Sequence, residues 1–167
     1  MIQSIEDLYI KFLEIKDRGW IRTLNSGFNA PGNTFEILLG LKENGSELPD
    51  FEGIEIKTQK IDGRGKISLL NINPKTDNGN STEVILNMLG YPDLDYPEYK
   101  VFNVSLYANE IKKCGNYYIS INVNHRMRRV ELCIQNYEKN ELNLNIYWPY
   151  SLLMERINKK LTYLAII

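Results

Sequence analysis

Cysteine and histidine are scarce in this chain: Cys114, Cys133 and the single His125 are all it has in 167 residues. Two thiols without a CxxC pair or a cysteine/histidine cluster give neither a disulfide framework nor a structural zinc site, and they suit a cytoplasmic setting. No stretch reaches the roughly 18 apolar residues of a membrane span. The charged N-terminus MIQSIEDLYIKFLEIKDR lacks the apolar core of a signal peptide, so no membrane partner is expected. Nor is there an excess of charge of one sign. The net charge of −1 gives no global attraction to a polyanion, so any such attraction must come from local basic patches. The GxxxxGK[ST] spacing of a phosphate-cradling loop is missing, which removes support for nucleotide triphosphate hydrolysis. Repeats and low-complexity segments are absent as well.

What is present is an ordinary globular composition, 43% hydrophobic and 25% charged, enough for one domain with a real core. Ser4 as N-cap with Asp7 three residues on, and Ile5, Leu8, Phe12 and Ile15 at helical spacing, predict an opening helix that ends at Arg18-Gly19. A second helix is expected from a cap at Asn33 or Thr34 through Leu39, ending by Gly40 or at Asn44-Gly45, then a strand from Gly53 to Gln59. The turn Asp62-Gly63-Arg64-Gly65 suggests a hairpin with a strand KISLLN, Lys66 to Asn71. A helix over Ser81 to Leu89 follows. Strands are then expected over Lys100 to Tyr107, Tyr117 to Asn122, Arg129 to Gln135 and Leu142 to Trp148. Pro149 opens a helix, Tyr150 to Lys160, and LTYLAII is a last strand whose hydrophobic ending suggests a domain cut from something longer. The expected class is α/β (α+β), a mixed sheet flanked by helices.

One stretch carries chemistry: PDFEGIEIK, residues 49–57. Alternation along a strand puts Ile54 and Ile56 on one side and Glu55 and Lys57 on the other, the latter pair roughly 6.6 Å apart along the backbone. Asp50 sits on the turn before them and Glu36 on the preceding helix. Carboxylates are the hard oxygen ligands that Mg²⁺ takes, so Asp50 and Glu55 suit one ion, with Glu36 binding a second or orienting water. Lys57 is a point charge for the scissile phosphate or the attacking hydroxide. Together these residues have the logic of metal-assisted phosphodiester hydrolysis. The bland alternative is a half-solvated strand with an ion pair worth about 0–1 kcal/mol.

Gly32-Asn33-Thr34-Phe35-Glu36-Ile37-Leu38-Leu39-Gly40, Lys42-Glu43-Asn44, Pro49-Asp50-Phe51 and Gly53-Ile54-Glu55-Ile56-Lys57 together resemble the signature of the MvaI/BcnI type II restriction endonucleases, relatives of the MutH nickase within the PD-(D/E)xK nuclease superfamily. Looser likeness extends to Gly19-Trp20-Ile21, to KISLLN with Pro74, and to Trp148 through Ile167. The resemblance implies a restriction-endonuclease-like core over residues 1–167, Mg²⁺-dependent cleavage of duplex DNA, and a site of Glu36, Asp50, Glu55 and Lys57. The chain stops where members of the family usually continue into further DNA-reading elements.

Recognition is read from basic residues. Asn124-His125-Arg126-Met127-Arg128-Arg129 is the most basic short run, between two expected strands, and Arg64 and Lys66 follow the site strand. Arginines there suit phosphates or guanine edges, and a solvated hairpin end is the competing reading. A recognition subdomain is expected around residues 100–148, and the assembly is expected to be a monomer or weak dimer. Two functional classes remain: a sequence-specific, Mg²⁺-dependent endonuclease on double-stranded DNA, and a catalytically inactive DNA-binding or structural domain derived from one.

Overall fold

Helix α1 (Ile2–Lys16) places Leu8 and Ile15 two turns apart on one buried face, and Gly19 at φ 71 follows its end in the left-handed conformation that glycine accommodates. The computed structural model describes residues 2–27, 29–41, 48–61, 63 and 65–167, Ile2 by its backbone alone. Helix α2 (Ala30–Leu38) starts a turn before the expected Asn33 or Thr34, because Pro31 fits the first turn of a helix, where a missing N–H costs nothing. Thr34 instead lies buried in this helix, its Oγ1 accepting from Leu24 N at 3.0 Å.

Strand β1 (Glu55–Lys57) is followed in the chain by α3 (Ser81–Leu89), whose N-cap Asn80 accepts from the N–H groups of Thr82 and Glu83. Then come β2 (Tyr91–Pro92), β3 (Lys100–Val101), β4 (Ile111–Cys114), β5 (Tyr117–Asn124), β6 (Arg129–Gln135), β7 (Ile146–Pro149), α4 (Tyr150–Lys160) and β8 (Leu164–Ile166). The chain forms two compact units, Met1–Leu70 with Glu155–Ile167, and Asn71–Met154.

In the first unit β1 pairs in parallel with β8, Glu55 opposite Leu164 and Lys57 opposite Ile166. Leu8, Ile15, Leu39, Phe51, Ile54 and Ile56 make its core, with Phe35, Tyr163 and Ala165 packed against them. The expected hairpin partner KISLLN is not a strand: residues 65–74 have no regular structure. Gln59 Nε2 donates to the carbonyls of Gly63 (3.3 Å) and Gly65 (2.7 Å), so side-chain bonds occupy the groups that would lead into a ladder.

In the second unit β4–β5–β6–β7 form an antiparallel sheet in that order, and β2 pairs with β3. Ile119, Leu132, Ile134, Ile146 and Leu89 are its core. The strand expected over Lys100 to Tyr107 shrinks to β3, while β4, IKKC, was not expected as a strand. It is an edge, and Lys112 and Lys113 are the exposed charges that keep an edge from pairing further. Pro149 closes β7 rather than opening α4. No helix among the described residues is long and apolar enough to cross a membrane.

Candidate active site

The segment Phe51-Glu52-Gly53-Ile54 is a two-residue turn. Phe51 N donates to Ile54 O (2.9 Å), Ile54 N to Phe51 O (2.7 Å), and both central residues have positive φ, Glu52 at 44 and Gly53 at 90. That pair of conformations belongs to a type I′ hairpin turn, and glycine carries the second without a Cβ penalty. The isolated Phe51–Ile54 bridge turns the chain back so that Asp50 lies beside the start of β1. The four-residue gap between Asp50 and Glu55 is therefore the spacing of a tight hairpin. Asp50 Oδ2 also accepts from Ile56 N at 2.9 Å, which fixes the carboxylate beside the strand.

Glu55 is fully buried, at 0% exposure, in contrast to the open face expected for it. A parallel strand covered on both sides explains why Glu55 lies as deep as Ile54 and Ile56. Its Oε1 meets Lys57 Nζ at 2.5 Å and Lys160 Nζ at 3.3 Å, while Oε2 is buried with no hydrogen-bond partner. In the sequence Lys160-Leu161 stands only as part of the looser likeness over Trp148 to Ile167, with no place in the site. A lysine closing a helix before an apolar strand is too common a pattern to single out, and its meaning comes only from the β1–β8 pairing.

Glu36 is half-buried on α2, one turn beyond Gly32 on the same helix face. A Cβ on Gly32 would stand 2.9 Å from Thr58 Oγ1, so that face of α2 lies against the residue following β1. Lys11 fastens the other end: its Nζ donates to Leu39 O at 3.1 Å and lies 5.3 Å from the Phe51 ring centre. The described residues contain no group of three or more His, Cys, Asp or Glu side chains that could hold a metal ion, so Glu36, Asp50 and Glu55 do not gather into one. The donor set near Lys57 is the pair Asp50 and Glu55.

The basic residues separate. Arg126 and Arg128 are exposed in the 125–128 turn between β5 and β6, with Arg128 at φ 51. His125, also exposed, has its Nδ1 3.3 Å from Tyr150 Oη. Arg129 is committed within its own sheet: Nε donates to Glu131 Oε1 at 2.7 Å and the guanidinium lies 4.4 Å from the Tyr147 ring centre. Burial pushes the Glu131 carboxyl up, but hydrogen bonds from Arg129, Asn122 and Asn124 outweigh it and hold the group below its ordinary value. Lys66 is exposed in the segment without regular structure, and Arg64 lies outside the described residues.

Compared by sequence with curated proteins, the chain matches none. Two solved structures of restriction endonuclease MvaI are similar to it. The complex of MvaI with its cognate DNA substrate is 25% identical, aligns with 100% of this chain and 67% of its own, and has a TM-score of 0.90. MvaI in the absence of DNA is 25% identical over 100% of this chain and 66% of its own, with a TM-score of 0.59. The chain thus spans about two thirds of the length of the MvaI chains it matches. The profile of the MvaI/BcnI restriction endonuclease family matches residues 9–167. On that match, and with the fold shared with MvaI, the chain belongs to the MvaI/BcnI restriction endonuclease family, a family of restriction-type DNA endonucleases.

Proposed function

We propose that the chain is a Mg²⁺-dependent, sequence-specific endonuclease of duplex DNA, with Asp50, Glu55 and Lys57 as its catalytic residues. The observation that carries this reading is the unpartnered Oε2 of a fully buried Glu55. A buried carboxylate oxygen without a donor is costly, and a divalent cation is the partner that hard oxygen ligands suit. Asp50, whose carboxylate is fixed beside β1 by its bond from Ile56 N, supplies the second ligand. One or two carboxylates are what magnesium takes from a protein when water and phosphate oxygens complete its shell. An ion held there would supply a water of lowered pKa and neutralise charge on the phosphate.

Lys57 does the remaining electrostatic work. Glu55 Oε1 fixes its ammonium at 2.5 Å, so the charge is already in place as negative charge builds on the phosphate oxygens and no reorganisation is needed during the reaction. Glu36, brought alongside β1 by the Gly32–Thr58 approach, orients the attacking water. Duplex DNA as substrate is supported by the family and by the cognate DNA in the MvaI complex. Arg126 and Arg128, with Lys66 and Arg64, are the basic side chains assigned to its phosphates.

A supercoiled plasmid incubated with the protein in Mg²⁺ or in EDTA, alongside Glu55→Gln, tests the proposal. Cleavage is expected only from the wild type with Mg²⁺. DNA binding by the wild type with no cleavage in any divalent cation would instead establish a binding module derived from a nuclease.

A further inference from the structure

Glu55 has more positive charge around it than one ion pair requires. Lys57 comes from the same strand, two residues on, and moves with it. Lys160 arrives from the end of α4, and its Nζ reaches the same Oε1 at 3.3 Å. Its place is set by structure on both sides. Leu161 N donates to Ile157 O at 2.8 Å and Thr162 Oγ1 to Asn158 O at 2.6 Å, closing the helix. Two residues beyond Leu161, Tyr163 O accepts from Glu55 N itself at 2.9 Å. The helix that ends in Lys160 is thus tied to the backbone of the carboxylate that Lys160 touches. Its ammonium also lies at a helix C-terminus, where a cation is favoured.

We propose that Lys160 is the resident counter-ion of Glu55, a built-in cation that balances the buried site in the absence of a divalent metal and opposes metal loading until DNA is present. The inference rests on the reading that Asp50 and Glu55 hold the ion. The two ligand carboxylates are matched by two lysines, so these four groups carry no net charge. A divalent cation adds two positive charges to that balanced set, and Glu36, the one further carboxylate assigned to the site, offsets at most one of them. The phosphate of bound DNA brings the missing negative charge. Metal and DNA therefore enter the site cooperatively, and metal alone enters it weakly. Lys160 acts here through Glu55, as a positioning and charge-balancing residue, without touching the reacting atoms.

Thermal melting against increasing Mg²⁺ and Ca²⁺, without DNA, reads the effect directly on wild type, Lys160→Met and Lys160→Arg. Methionine keeps much of the length and volume but removes the charge; arginine keeps the charge. The metal-free Lys160→Met protein should melt below wild type. Its half-maximal stabilisation should come at a metal concentration about tenfold lower, the scale of one unit charge at a partly screened site. Lys160→Arg should track wild type. Lys160→Gln replaces the methionine variant if that protein does not fold, and is judged by the same shift. A metal midpoint that is unchanged or raised in the uncharged variant overturns the counter-ion role while leaving Glu55 as a metal ligand. Absence of metal stabilisation in both wild type and the uncharged variant overturns the metal assignment too. Stabilisation that appears only in the uncharged variant is the strongest form of the expected result.

Discussion

Burying a carboxylate as completely as Glu55 makes its neighbours interdependent. Lys57→Ala removes the nearer of its two cations, so the substitution should do more than silence a surface ion pair. Lys160 remains at 3.3 Å, and Lys57 is itself 26% exposed, so the loss of stability is expected on the order of 1–3 kcal/mol, less than for a sole buried pair. Single-turnover cleavage should fall by roughly 10²-fold or more, because the stabilisation lost is made mainly in the transition state. Parallel melting and single-turnover measurements check both, and an unchanged rate removes Lys57 from the chemistry. Glu131 gives a second residue-level expectation, in the other unit. Its folded carboxyl titrates below the ordinary 4.5, so its contribution to stability is complete above that value and is lost as pH falls through the lower, folded one. Melts from pH 6 to 3 should show the wild type losing stability below about pH 4.5, and Glu131→Gln losing less over the same interval. Equal slopes would mean that the Arg129, Asn122 and Asn124 bonds do not favour the ionised form.

Among the elements, the Phe51–Ile54 turn does most to align the site. Gly53 at φ 90 has no relaxed alternative with a side chain, so Gly53→Val should cost about 1–2 kcal/mol and displace Asp50 from Ile56 N, lowering cleavage as well. Glu52→Asn places the preferred Asn-Gly pair in the same turn and should raise stability by a few tenths of a kcal/mol. Urea unfolding of the two variants against wild type measures both, and opposite signs are the expected signature. This turn also shows how far the sequence could be read. A turn at Asp50 leading into a strand with Glu55 and Lys57 was legible, as were α1, α3, β5 and β6, because these patterns are local, while the tight Phe51–Ile54 turn between Asp50 and Glu55 was not. The burial of Glu55 was not, since alternation puts it opposite Ile54 and Ile56 and says nothing of what covers that side. KISLLN alternates only as far as Leu69, and Gln59 holds the carbonyls of Gly63 and Gly65 just before it. Lys160-Leu161 stood out only by family likeness, and its contact with Glu55 was hidden because a pairing 109 residues apart in sequence, Glu55 with Leu164, brings it there.

For the molecule as a whole, a net charge of −1 means that affinity for DNA rests on a few placed side chains rather than on the overall field. Arg126→Ala with Arg128→Ala should weaken binding to all duplex sequences alike and lower the salt slope by about one unit per lost phosphate contact. Fluorescence anisotropy between about 50 and 200 mM salt measures the slope, and an unaltered slope would return the turn to plain solvated surface. Arg129, engaged by Glu131 and Tyr147, should instead act on the stability of its sheet. The β1–β8 pairing also bears on how the protein is made. A ribosome delivers Glu55 and Lys57 long before it delivers Tyr163, Leu164 and Lys160, and β1 has no parallel partner until they emerge. A nascent chain therefore carries Glu55 and Lys57 without their parallel strand partner, and without the second lysine on Glu55, for the more than 100 residues that separate the two strands.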